Sequence, residues 1–147
     1  MGLLSNILGT ETSPAKLNQQ ESFLGILLSA VAADGHISDE ETADFISIAN
    51  KAKVVQDMSG QQFNSTIDKL FKILRRDGVD QLVELSVKGL PPDLRLGTFT
   101  IACDLLFSDG SVEKEEEQVL EKLIAKLEIN EANAMKVVEV ISIKNKV

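Results

Sequence analysis

With 147 residues, 44% of them apolar, the chain is large enough for one buried core and too apolar for a disordered segment. Trp and Tyr are absent and no strand-forming aromatic stretch occurs, so the composition reads as helical. A formal charge of −8 excludes the basic footprint that nucleic-acid binding needs and favours cations or basic protein surfaces as partners.

The first segment, MGLLSNILGTETS, lacks the basic flank and long apolar stretch of a secretion signal. No run approaches the roughly 20 apolar residues of a membrane span, so a cytoplasmic protein not integral to the membrane is expected. Gly2 invites myristoylation, but Asn6 stands where that signal needs Ser or Thr. Leu3, Leu4, Ile7 and Leu8 would share one face of a short helix. Residues 1–12 therefore read as an arm or flap on its own domain, with a lipid or partner contact as the alternative, and 13–147 as a single helical domain.

Ser13-Pro14 offers an N-cap and a first-turn proline for a helix over 14–33. Phe23, Leu24, Leu27, Leu28 and Val31 fall at helical spacing, and Ile26 with Ala30 widens the stripe until burial on most sides is expected. Asp34-Gly35 ends it, and Ser38 with Glu41 forms a capping box for the next helix, which turns Phe45, Ile46, Ile48, Ala49 and Ala52 inward. Ser59 with Gln62 repeats that device for a helix through Phe63, Ile67, Leu70, Phe71 and Leu74 that stops near Gly78. A shorter helix over 80–88 is terminated by Gly89 and Pro91-Pro92. The chain re-enters a helix over 93–108, in which Gly97 implies a close helix crossing. Helices over 113–127 and from Asn130 onward complete an all-α bundle of about seven helices. Cys103, inside the apolar run over 99–107, reads as a buried small hydrophobe.

The stretch AADGHISDEE at 32–41 returns 75 positions later as FSDGSVEKEE at 107–116. That shift places Asp109 on Asp34, Gly110 on Gly35, Val112 on Ile37, Glu115 on Glu40 and Glu116 on Glu41. Leu106 falls on Val31, Leu120 on Phe45 and Leu123 on Ile48, so apolar positions coincide as well. A duplicated helix-loop-helix, with units at about 21–52 and 96–127 in a rough two-fold relation around one core, accounts for the pattern.

An apolar helix ending in Ala33-Asp34-Gly35, then a β-branched residue, then Ser38 with Glu41, and a partner copy at Ser108-Asp109-Gly110, resembles the TerB-like tellurite-resistance family. That family also includes the N-terminal part of a membrane-linked J-domain cochaperone. The resemblance implies an all-helical bundle with an acidic surface, a bacterial cytosolic setting, and a non-enzymatic role in tellurite or other stress responses. It further implies protein partners in an assembly near the membrane. Glu113 stands where the first copy has the better cap Ser38.

Asp34, Glu40 and Glu41, and their counterparts Asp109, Glu115 and Glu116, are candidate ligands of a divalent cation. Each loop matches the second half of a calcium-binding EF-hand loop. The first and third ligand positions fall on Ala30 and Ala32 in one copy and on Leu105 and Phe107 in the other, which offer no oxygens. A regular EF-hand is thereby excluded, leaving a weak Ca²⁺ or Mg²⁺ site completed by water. The structural alternative assigns the same acids to helix capping and to the helix dipole. His36 has no second His or Cys nearby for zinc, and nucleophile and base pairs are lacking, so an enzyme is not expected. The remaining alternative is a purely structural helical domain, monomeric or a homodimer through an apolar face such as the N-terminal one of Leu3, Leu4, Ile7 and Leu8.

Overall fold

A computed structural model describes residues 16–33, 35–107 and 114–147. The arm at 1–12, the Ser13-Pro14 helix start, Asp34 and the Asp109-Gly110 turn lie outside the described residues. Within them are seven α-helices and one 3₁₀ turn, with no strand. They are α1 (Gln19–Val31), α2 (Asp39–Asn50), the 3₁₀ turn (Lys53–Val55), α3 (Gly60–Asp77), α4 (Val79–Gly89), α5 (Pro92–Leu106), α6 (Lys114–Lys126) and α7 (Glu131–Lys144).

The central helix is α1, in which every residue from Ser22 to Val31 is buried. It touches α4, α5, α3, α2 and α6. Its N-cap is Asn18, five residues later than the Ser13-Pro14 signature predicts, because Asn18 and Glu21 close a capping box of their own. Asn18 Oδ1 accepts from the Glu21 N–H at 2.8 Å, and Glu21 Oε1 accepts from the Asn18 N–H at 2.9 Å. Glu21 Oε2 also accepts from Lys69 Nζ at 2.8 Å, which ties the start of α1 to α3. Ser38 and Ser59 open α2 and α3 through the predicted boxes, and Asn130 caps α7.

The tight crossing joins α1 to α4. A Cβ built on Gly25 would collide with Ser86 Oγ, and one on Gly89 with Ser22 Oγ and the Leu17 carbonyl. As numbers rise along one helix they fall along the other, so the two run antiparallel with a glycine facing a serine at each of two levels. The expected crossing at Gly97 is not found, since a Cβ there would meet nothing within 4 Å. Its position is exposed on α5, so the glycine serves no packing need. Both serine hydroxyls at the real crossing are buried without a hydrogen-bond partner. The hydroxyl is therefore tolerated for its small size.

The two helix pairs end alike. Ala32 closes α1 at φ −92°, ψ 12° with its N–H on Leu28 O, and Phe107 closes α5 at φ −90°, ψ 3° with its N–H on Cys103 O. Helices α2 and α6 begin at Asp39 and Lys114, again 75 positions apart. Their surroundings differ, because α1 is enclosed whereas α5 leaves Leu96 and Gly97 open. Cys103 is fully buried, and burial, with the Asp104 carboxylate adding, pushes its thiol up to about 12.

The α6–α7 turn uses Glu128 at φ +55° where glycine is usual. The Ile129 N–H bonds to Ile124 O at 3.0 Å and the Glu128 N–H to Ala125 O at 3.2 Å. Arg95 Nη1 also donates to Leu127 O at 3.3 Å, linking the turn to α5.

Gly25→Ala is expected to lower stability by about 1–3 kcal/mol through overpacking. Adding Ser86→Ala, which removes the colliding oxygen, should recover part of that loss in urea unfolding; a Gly25→Ala protein as stable as the parent would contradict the crossing.

Candidate functional site

The first turn of α2 is shaped by Gly35 and Ser38. Gly35 holds φ +94°, a left-handed value that side-chain-bearing residues avoid, and its N–H bonds to Ala32 O at 3.0 Å. Ser38 Oγ accepts from the Glu41 N–H at 3.0 Å, Glu41 Oε1 accepts from the Ser38 N–H at 2.9 Å, and Thr42 Oγ1 donates to Ser38 O at 3.0 Å. One oxygen of Glu41 is thus committed to capping. Asp39, Glu40 and Glu41 occupy the first turn of α2, and Glu115, Glu116 and Glu117 the first turn of α6, where the helix dipole favours negative charge.

The ends of α1 and α5 lie under these two turns. Val31, Leu105 and Leu106 floor a cleft of about 180 Å³ whose walls are Glu40, Glu41 and Asp44 from α2 and Glu116 from α6. The structure therefore brings Glu40, Glu41 and Glu116 to one cleft and leaves Glu115 exposed beyond it. Asp34 and Asp109 lie outside the described residues. Asp44 joins the walls without having been singled out by sequence, because it falls one turn past the repeated motif. Its position on the same face as Glu40 and Glu41, at i+4 and i+3, is the signal that could have found it.

Because Val31, Leu105 and Leu106 are almost fully buried, the cleft surface is mainly carboxylate and suits a cationic tip such as that of a Lys or Arg side chain. Among the described residues no group of three or more His, Cys, Asp or Glu side chains is placed to hold a metal ion. His36 sits apart, exposed in a separate groove beside Ile37, Phe71, Leu74 and Arg75. No helix among the described residues is long and apolar enough to cross a membrane.

A family model described as tellurite resistance protein TerB matches residues 20–138, from α1 into the middle of α7, and so includes both acidic stretches. No curated protein and no solved structure matches the chain.

Capping and charge can be separated at this site. Ser38→Ala should cost about 1 kcal/mol of stability, whereas Glu41→Gln, which keeps the reciprocal cap, should stay within about 0.5 kcal/mol. Thermal melts of the two variants check this, and equal losses would show that the Glu41 charge, rather than its capping bond, is what stabilises α2.

Proposed function

Because the chain belongs to the tellurite resistance protein TerB family, we propose that it is a non-enzymatic interaction module of the bacterial stress response, working in the cytoplasm. Its acidic cleft receives a basic side chain of a protein partner. The supporting observation is the cleft itself, in which carboxylates from two helix starts stand over Val31, Leu105 and Leu106. A Lys or Arg of the partner sets its charge among Glu40, Asp44 and Glu116. Clustered acids of one sign also raise the encounter rate with a basic surface. The partner belongs to a stress assembly at the membrane surface, in which this chain takes part without spanning the bilayer.

A divalent cation is the second reading, favoured by the recurrence of the Asp-Gly-acid pattern after 75 residues. Ca²⁺ or Mg²⁺ would be held by Asp34, Glu40 and Glu41 or by Asp109, Glu115 and Glu116, with water completing 6 to 8 oxygens for Ca²⁺.

Titration with a short fluorescent Lys/Arg-rich peptide distinguishes the readings. Glu40→Gln, Asp44→Asn and Glu116→Gln together should weaken binding about tenfold or more, equivalent to roughly 1.4 kcal/mol. Glu117→Gln with Glu121→Gln should change it little. Equal losses in both variants would reduce the effect to general acidity and remove the cleft as the site. Heat on adding millimolar Ca²⁺ or Mg²⁺, abolished by Asp34→Asn with Asp109→Asn, would support the cation reading instead.

A further inference from the structure

Helix α7 rests on α5 through buried Ala134 and Ile141 and half-buried Val137 and Val138. An outer helix of this kind ordinarily presents polar residues on its far side. Here Val140 and Ile143 are 61% and 58% exposed, while the exposed Met135 borders the groove between α7 and α6. With Val147, Val140 and Ile143 are three of the five large apolar side chains exposed among the described residues. At about 100° per residue, Val140 and Ile143 lie roughly 60° apart with Lys136 between them, on the side away from Ala134 and Ile141.

The charges beside this strip are arranged for a second copy. Glu139 and Lys146 lie on one flank and have no ion-pair partner among the described residues. Lys144, on the other flank, is held by Asp104 at 2.6 Å. In a chain of net charge −8, two copies repel wherever acids face acids, but residues 131–147 carry three Lys against two Glu. They offer an approach without that repulsion.

We propose that α7 is the contact helix of a homodimer, pairing antiparallel with α7 of a second copy about a two-fold axis midway between residues 141 and 142. Val140 of each copy meets Ile143 of the other. A two-fold axis lying across antiparallel helices keeps the same flank facing the same flank, so an acid is met by a base only when both sit on one side, as Glu139 and Lys146 do. They are two residues off level, about 3 Å of helix rise, which a lysine side chain spans. One helix face is smaller than the roughly 800 Å² per partner of a standard interface, so the dimer is weak, with a Kd on the order of 10⁻⁴ M. The acidic cleft lies on other elements, and this pairing does not depend on how the cleft is used.

Sedimentation equilibrium of the full chain from about 20 µM to about 1 mM, which brackets that Kd, tests the pairing. The mean mass should rise from one chain toward two. Val140→Glu with Ile143→Glu, both at exposed positions, should hold the mass at one chain while leaving the helical circular dichroism unchanged. Glu139→Lys alone should weaken association, and adding Lys146→Glu should restore it. A mass of one chain throughout would overturn the dimer, leaving the strip to another cover such as the arm at 1–12. Association indifferent to the Val140 and Ile143 changes, or not restored by the charge swap, would overturn it equally.

Discussion

Helix α1 can be enclosed by five other helices because it meets α4 through Ser22 and Gly25 against Gly89 and Ser86, where the two backbones approach too closely for any larger side chain. A helix packed through leucines would stand 8–10 Å from its neighbour and leave less room for the elements on its other sides. Around α1, α3 also contacts α4, and α5 also contacts α6. The serine hydroxyls contribute nothing by hydrogen bonding there, since neither has a partner. Surface ion pairs such as Lys126–Glu84, at 2.5 Å and about half exposed, add little to this framework.

The site follows from that framework. With α1 fixed, its last residue Val31 lies beside Leu105 and Leu106 at the end of α5, and the first turns of α2 and α6 border the same cleft. Acids that each serve their own helix dipole are thereby brought to a shared cleft. Capping and cleft lining overlap in Glu41, which bonds the Ser38 N–H and also stands in the wall. Stability alone accounts for acids in each first turn. Asp44 lies beyond the reach of the first-turn dipole and stands, exposed, on the same wall.

Local signals carried much of this into view from the sequence. The helical period of Phe23, Leu24, Leu27, Leu28 and Val31, and the boxes Ser38/Glu41 and Ser59/Gln62, are determined within a few residues, and the described helices open where those boxes lie. Asn18 was hidden behind the stronger Ser13-Pro14 pattern, since both are capping signatures a few residues apart. The glycines mark the limit more sharply. Gly97 and Gly25 both sit inside helices, and only the facing helix shows that one is open and the other in close contact. The same holds for the cleft: acid positions are local, but the meeting of α2 and α6 depends on packing between residues more than 60 apart in the chain.

The central claim is that the first turns of α2 and α6 share one cleft. A nitroxide on Asp44→Cys, in a Cys103→Ala background so that only one thiol is present, reports this through broadening of backbone amide signals. The account predicts strong broadening of the amides of residues 114–117 together with those of α2 itself. Sharp signals at 114–117 beside a broadened α2 would contradict it.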